Sequence, residues 1–190
     1  LHQGIHAIDI KRICCRNLPN SRAPERPLTE RRIVMKPLVV LLMGSPADAE
    51  HANKIVDSLK QFTVDVAMHV GSAHRTPLHA LEILQRYDTQ DRAKVFITIA
   101  GRSNALSGFA DPQVSAPVIA CPPPGPEIDL WSSLRMPPGV APAVVLEPVN
   151  AALYAAKILG LSDTGVAEQV RKFQTTQRDR VMQADQEMQK

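Results

Sequence analysis

Three neighbouring side chains within residues 71–77, GSAHRTP, can do chemistry together: Ser72, His74 and Arg75. Histidine titrates near neutral pH, so His74 can give or take a proton. Arg75 stays charged and can hold an anion through two parallel hydrogen bonds. A hydroxyl, an acid–base group and a fixed cation side by side favour a site for an anionic ligand. The alternative is a surface histidine beside a solvated arginine.

A second polar stretch, MGSPAD at 43–48, follows another strand-like run. Gly44 permits a close turn, and Ser45 can donate its hydroxyl to a phosphate held at a helix N-terminus. Asp48 can accept a hydrogen bond from a ribose hydroxyl. Ordinary helix capping by Ser45 or Asp48 is the alternative. The stretch matches neither a GxGxxG nor a Walker loop.

A third polar stretch, AGRSNALSG at 100–108, also follows an apolar run. Gly101 frees the backbone, and the next three residues, Arg102, Ser103 and Asn104, present a cation, a hydroxyl and an amide. Such donors can hold a small carboxylate or CO2. A polar turn that leads into a helix is the alternative interpretation.

The segment CPPPGPEIDLWSSLRMPPG at 121–139 is dense in proline and predicts a stiff, extended loop that forms a lid or wall. Cys121 is expected to be a small buried packing residue rather than a nucleophile, because no histidine lies near it in sequence. Arg135 either reaches an anion or pairs with Asp129 or Glu127.

Strand and helix patterns alternate between these stretches. A continuous apolar run such as LVVLLM is typical of a strand buried on both faces. The predicted strands are 38–43, 64–70, 94–100, 116–121 and 141–147. The predicted helices are 48–62, a segment beginning with Thr76 as N-cap and Pro77 as first residue, 150–161, and the polar tail after 162. On the second helix, Leu78, Leu81, Ile83 and Leu84 are expected on one side.

This alternation predicts an α/β fold, a parallel sheet with helices on both faces. Ligands of such sheets bind beyond the carboxyl ends of the strands. Because all three polar stretches follow strands, we expect them to meet in one crevice. We divide the chain into a leader, 1–36, an α/β domain, 37–163, and a helical tail, 164–190.

Composition indicates where the charge and the core come from. The 190 residues suffice for one domain, and with only 4% aromatic residues the core must be aliphatic. The net charge of +3 comes from residues 1–34, which hold seven Lys or Arg against three acids, so it is no argument for nucleic acid. We expect a disordered leader without a catalytic role, and a natural start at Met35.

Cysteine usage and hydropathy narrow the setting. Cys14, Cys15 and Cys121 form no disulfide framework and no zinc-binding spacing, which favours a reducing, cytoplasmic location. The longest apolar run near the start, at 38–43, is too short to span a bilayer, so we expect no membrane association.

Five segments together resemble the phosphoribosylaminoimidazole carboxylase family of purine biosynthesis: MGSPAD, SAHRTP, AGRSNALSG, CPPPGPEIDLWSSLRMPPG and LEPVNAALYAAKILGL. The resemblance covers about residues 38–163. AGRSN and SSLRMP look like the class II branch, which uses CO2 directly. Arginine at position 75 is typical of class I, the mutase branch, whereas class II members usually carry lysine there. Ala47 also replaces a serine that the family usually has.

The resemblance implies a flavodoxin-like three-layer αβα sandwich that forms a homo-octamer. It implies active sites at subunit contacts and a C-terminal helix that packs on a neighbouring subunit. The implied reaction adds a carboxylate to ring carbon 4 of 5-aminoimidazole ribonucleotide (AIR), giving 4-carboxy-5-aminoimidazole ribonucleotide (CAIR), without metal, biotin or ATP.

Residue by residue, the resemblance assigns His74 to catalysis. It assigns Ser45 and Asp48 to the ribose phosphate portion of the substrate, with further phosphate-side contacts from Ser72 and Arg75. Gly101, Ser103 and Asn104 match the loop around the reacting carbon and CO2. Two alternatives remain: a class I mutase, which moves a carboxylate from the exocyclic nitrogen to carbon 4, and a non-catalytic nucleotide-binding module.

Overall fold

The structure is a computed structural model, and it describes residues 35–189. The predicted leader up to residue 34, with Cys14 and Cys15, lies outside the described residues.

Five parallel strands form one sheet in the order β2-β1-β3-β4-β5. The strands are β1 Leu38–Met43, β2 Asp65–Val70, β3 Lys94–Ile99, β4 Val118–Ala120 and β5 Ala143–Val144. The helices are α1 Ala49–Leu59, α2 Pro77–Asp88, α3 Ala105–Ala110, α4 Glu127–Leu134, α5 Pro148–Leu159 and α6 Thr164–Met188. This strand order confirms the predicted α/β sandwich with a parallel sheet.

The sheet separates two aliphatic cores, which explains the continuous apolar run of β1. Successive side chains of a strand point to opposite faces. Val39 and Leu41 pack with α1, α5 and α6 on one face, whereas Val40 and Leu42 pack with α2 and α3 on the other. All six residues of β1 are buried, so this strand is the common wall of both cores.

The chain order of the sheet creates a crevice at the end of β1. The strand that follows β1 lies on one side of it and β3 lies on the other. Helix α1, which follows β1, packs on one face of the sheet, and α3, which follows β3, packs on the opposite face. The loops after β1 and β3 therefore diverge, and the space between them is where doubly wound sheets bind ligands.

One predicted loop contains a helix. Residues 121–126 form neither helix nor strand, but Glu127–Leu134 form α4. The prolines precede the helix and do not interrupt it, and two acids, Glu127 and Asp129, lie in its first turn, where they interact favourably with the helix dipole. Arg135 forms no ion pair with either acid in the described part of the chain.

The predicted buried side of α2 was wrong at one position. The buried residues are Ala80, Ile83 and Leu84, whereas Leu78 is 75% exposed. At 100° per residue, Leu78 lies about 200° from Ala80 and so points away from the sheet.

Helix α6 begins on the body of the protein and then leaves it. Asp163 caps it by accepting a hydrogen bond from Val166 N at 2.9 Å. Val166 and Val170 are buried, and the ring of Phe173 lies 5.8 Å from that of Phe62. Residues 175–189 are all exposed. The expected packing of this helix on a neighbouring subunit stays a prediction.

Candidate functional site

A cavity of about 640 Å³ opens at the carboxyl ends of β1, β2 and β3. Seven of the eight predicted site residues line it: Ser45, Asp48, Ser72, His74, Arg75, Gly101 and Ser103. The remaining lining residues are Gly44, Ala47, Ala73, Ala100, Arg102, Ala105 and Leu106. Three loops that are distant in sequence therefore meet in one crevice, as the strand order requires.

The first loop turns closely over the end of the sheet. A side chain at Gly44 would place its Cβ 3.1 Å from Ala100 Cβ, so this position favours glycine. Ser45 Oγ accepts a hydrogen bond from Ala47 N at 3.3 Å, so Ser45 caps the short 3-10 turn Pro46–Asp48 while it lines the cavity. Asp48 is the N-cap residue of α1, yet its carboxylate makes no capping hydrogen bond.

The pKa of the Asp48 carboxyl is raised above its ordinary value of 3.8, chiefly because the group is partly removed from water. A backbone hydrogen bond at Ser45 and the charges of His51 and Arg75 act in the opposite direction. A carboxylate that is neither capping nor fully hydrated is free to accept hydrogen bonds from a ligand.

The second loop is held by reciprocal hydrogen bonds. Ser72 N donates to Thr76 Oγ1 at 2.9 Å, and Arg75 N donates to Ser72 Oγ at 3.2 Å. Thr76 therefore braces the loop and does not cap α2 with its side chain, although it occupies the N-cap position as expected. Arg75 Nη2 donates to Gly44 O at 3.0 Å, which ties the second loop to the first.

His74 lies at the exposed mouth of the cavity. Among the described residues, its ring has no hydrogen-bond partner. Both ring nitrogens are therefore available to a ligand.

The third loop contributes Gly101, Arg102 and Ser103 to the cavity. Arg102 has φ 53°, in the left-handed region that a residue with a side chain seldom adopts. Arg102 also lines a second, smaller cavity of about 230 Å³ with Pro122–Pro126, Glu127, Asp129, Leu130, Leu146, Glu147 and Gly101. The sequence identifies Arg102 as a cation but gives no reason to select it as a site residue, because nothing in the sequence predicts its backbone conformation.

Asn104 does not line the cavity. It is 1% exposed, and its Nδ2 donates to Ser133 Oγ at 2.9 Å. Its Oδ1 accepts from Ser107 N at 3.4 Å, and its backbone N–H donates to Ser132 Oγ at 2.8 Å. These contacts fix the third loop to α3 and α4. The geometry therefore supports a positioning role for Asn104, and the predicted direct contact with substrate has no support in it.

Cys121 is fully buried, which agrees with the expected packing role. Burial, aided by the negative charge of Glu147, raises the pKa of its thiol to about 12, so the sulfur stays protonated at neutral pH. The thiol has one neighbour that the sequence does not predict: His51 Nε2 lies 3.4 Å from Cys121 Sγ, although 70 residues separate them.

A larger groove, of about 1040 Å³, lies between α5 and α6. Its lining is mainly amide and basic side chains such as Gln169, Lys172 and Arg178. It contains no histidine, acid or hydroxyl–imidazole pair, and none of its lining residues belongs to the loops after β1, β2 and β3. The cavity at the end of the sheet is therefore the better candidate for chemistry.

Residues 35–189 contain no group of three or more His, Cys, Asp or Glu side chains arranged to hold a metal ion. Over the same residues, no helix has the length and hydropathy that a membrane span requires.

Comparison with known proteins agrees with the fold and the crevice. The family model for AIR carboxylase matches residues 38–180. The phosphoribosylaminoimidazole carboxylase of Treponema denticola is 49% identical over 154 residues, 80% of this chain and 97% of that protein. The enzyme of the same name from Archaeoglobus fulgidus is 49% identical over 152 residues, 78% and 83% of the two chains. The crystal structure of Treponema denticola PurE has a TM-score of 0.80 at 47% identity and covers 82% of this chain and all of its own.

The sheet order and the three-loop crevice define a flavodoxin-like α/β enzyme. The chain belongs to the AIR carboxylase family, a family of carboxy-lyases in purine biosynthesis, which confirms the resemblance seen in its loops.

Proposed function

We propose that this chain joins CO2 directly to ring carbon 4 of AIR and so forms CAIR. The observation that supports this most is the convergence of His74 with Ser45, Asp48, Ser72 and Arg75 on one cavity. The volume of about 640 Å³ falls in the range of small-molecule sites. The hydroxyls and the cation suit the phosphate of this substrate, the carboxylate suits its ribose, and the imidazole suits its reacting ring.

The phosphate end of AIR is held by Ser45, Ser72 and Arg75, which lie on the first two loops. Arg75 supplies the fixed positive charge, and the two hydroxyls supply neutral donors. Asp48 accepts from the ribose hydroxyls. In the proposed binding mode, the aminoimidazole ring then points toward the third loop.

The chemistry asks little of the nucleophile, because the aminoimidazole is an enamine whose carbon 4 already carries electron density. Carbon 4 attacks the carbon of CO2, a C–C bond forms, and one C–O π bond becomes the carboxylate. The ring carbon is then tetrahedral and carries a proton. His74 removes that proton, its electron pair returns to the ring, and aromaticity is restored. In the reverse direction His74 returns the proton before CO2 leaves.

The third loop surrounds the reacting carbon. Gly101 and Ser103 face the CO2, with Asn104 holding the loop in place from behind. A preorganised site of this kind stabilises the developing carboxylate without moving at the moment of reaction. The proposed reaction uses no metal, biotin or ATP.

The same proposal includes a cytoplasmic homo-octamer with active sites at subunit contacts. The cavity is open in the single chain, and His74 is exposed at its mouth. A neighbouring subunit over this mouth would exclude water from the CO2 site.

The test supplies the purified protein either with AIR and bicarbonate as the source of CO2, or with the N-carboxylated ribonucleotide. Consumption of AIR supports the proposal. Consumption of the N-carboxylated compound alone would assign the chain to the mutase branch, which Arg75 favours. Binding of either compound without turnover would indicate a nucleotide-binding module.

Replacement of His74 by Asn should retain AIR binding and lose turnover. Positioned acid–base catalysis contributes about 10²–10⁴-fold, and kcat should fall by that factor. Steady-state kinetics and equilibrium binding of AIR measure the two effects separately. His79→Asn, a change of an exposed histidine on α2, is the matched control. Normal turnover in His74→Asn would remove His74 from the mechanism.

A further inference from the structure

The buried contact between His51 and Cys121 is not used by the proposed mechanism. His51 lies in the first turn of α1, three residues after Asp48, and is 7% exposed. Its Nε2 is 3.4 Å from the sulfur of Cys121, which directly follows β4 and is fully buried. In the described chain, His51 is the only histidine, acid or base whose side chain is buried.

This contact joins three segments of the fold. The sulfur of Cys121 also lies 3.6 Å from the carbonyl oxygen of Leu146, which follows β5. The first turn of α1 is thereby fastened to the exits of β4 and β5. A polar ring buried in an aliphatic core is costly unless it has partners, so its position is closely specified.

The charge state of the pair follows from its surroundings. Burial lowers the pKa of His51, and the positive charge of Lys54 adds to this effect. Asp48, a hydrogen bond with the Cys121 backbone, and Glu147 act in the opposite direction. With the thiol of Cys121 protonated, the contact at neutral pH is one between a neutral imidazole and a neutral thiol.

The cavity end of α1 needs such an anchor. Asp48 occupies the N-cap position, but its carboxylate makes no capping hydrogen bond. The side-chain cap at this end belongs to the preceding 3-10 turn, where Ser45 Oγ accepts from Ala47 N over 3.3 Å at an exposed site, which is a long hydrogen bond. His51 lies on the first turn of α1, and its ring reaches the sulfur of Cys121 in the buried core.

We propose that His51 is a positioning residue, whose buried contact with Cys121 holds Asp48 in register with the substrate. The inference rests on the proposed function, in which Asp48 accepts from the ribose. His51 touches neither the substrate nor the reacting carbon. Its loss should therefore weaken substrate binding and leave the chemical step intact.

Steady-state kinetics with AIR and bicarbonate test this on His51→Gln and on Cys121→Ala. Both variants should raise KM for AIR about tenfold, as expected for loss of a buried hydrogen bond, and keep kcat within about twofold. Cys121→Ser, which keeps a donor and an acceptor, should restore most of the affinity. His79→Gln is the matched surface control. If His51→Gln does not fold, Cys121→Ala examines the same contact with His51 in place.

A double-mutant cycle with Asp48→Asn separates this inference from the proposed function. If His51 acts through Asp48, adding His51→Gln to Asp48→Asn should change KM by less than about twofold. If the increases in KM caused by His51→Gln and Asp48→Asn multiply in the double variant, the two residues act independently. That result would overturn the positioning role of His51 and would not affect the proposed contact of Asp48 with the ribose. An unchanged KM in Asp48→Asn would overturn the ribose contact itself. A folded His51→Gln variant with normal KM, or with a fall in kcat alone, would also overturn the inference.

Discussion

Arg75 connects two loops and also lines the cavity. Its Nη2 donates to Gly44 O at 3.0 Å, so the guanidinium connects the first two loops while it lines the cavity. The remaining N–H groups of the fork are free to bind an anion. The planar fork gives this residue a directional preference that the ammonium group of a lysine lacks.

Replacement of Arg75 by Ala should raise KM for AIR by about one to two orders of magnitude, because hydrogen bonds to charged groups contribute about 1.5–3 kcal/mol. The value of kcat should change far less, since the phosphate is remote from the reacting carbon. Steady-state kinetics against AIR concentration measures both. Arg86→Ala, an exposed cation at the other end of α2, is the matched control. An unchanged KM would exclude Arg75 as the phosphate contact.

His51 should make folding stability depend on pH. Its pKa in the folded protein is lowered by burial, so the unfolded chain binds its proton more readily. The contribution of His51 to stability is complete above its ordinary pKa of about 6.5 and is lost as pH falls from there toward its folded value. Denaturant unfolding between pH 8 and 5 should show a smaller loss in His51→Gln than in the unchanged protein. An equal loss in both would contradict this assignment. His69, whose pKa burial also lowers, is present in both proteins.

At the scale of elements, the third loop depends on α4. Asn104, Ser132 and Ser133 form a small polar network beneath the loop, and Ser132 Oγ also donates to Asp129 O at 2.9 Å. Helix α4, which the sequence did not predict, therefore supports the third loop, which the sequence did predict as part of the site. Arg102 and Ser103 stay exposed at the cavity because Asn104 holds the loop from below.

Replacement of Asn104 by Ala should lower the free energy of unfolding by about 2–3 kcal/mol, since it leaves Ser133 Oγ and Ser107 N without their partner in a buried site. Chemical denaturation measures the change. Ser103→Ala, an exposed neighbour, should change stability by less than about 0.5 kcal/mol. Combining Asn104→Ala with Ser133→Ala should cost less than the sum of the two single changes. Full additivity would contradict a shared network.

Much of this architecture could be predicted from the sequence, and the failures have physical reasons. The run 38–43 predicts a doubly buried strand because helices cover both faces of the sheet, and the small polar residues after the strands predict the edge of the sheet at which the cavity opens. The left-handed backbone of Arg102, the inward turn of Asn104 and the contact of His51 with Cys121 depend on segments far apart in the chain. Local sequence patterns contain no information about such contacts.

At the scale of the whole molecule, the C-terminal part of α6 extends away from the α/β domain on which its first turns pack. Its first turns are buried through Val166 and Val170, but residues 175–189 are exposed throughout. The exposed helical segment 175–188 contributes little to the stability of its own chain, because helices gain most of their stability from packing.

Removal of residues 175–190 should therefore leave the unfolding temperature of the isolated subunit nearly unchanged and weaken assembly, if this helix packs on a neighbour as proposed. Sedimentation velocity over a range of protein concentrations measures the assembly, and thermal unfolding at low concentration measures the subunit. Val170→Ala, which opens a space where α6 packs on its own chain, is the contrasting change and should lower subunit stability by about 1–3 kcal/mol. A truncated chain that assembles normally would exclude this helix from the subunit contact.

Gly101 and Arg102 belong to both the larger cavity and the smaller, proline-walled one. We therefore expect that a ligand of the larger cavity can be extended past Arg102 with an apolar arm. The prolines that wall the smaller cavity are conformationally stiff, so little ordering of the protein is needed to accept such an arm. An inhibitor that also fills the smaller cavity should be selective for this protein over other enzymes that bind ribose phosphates.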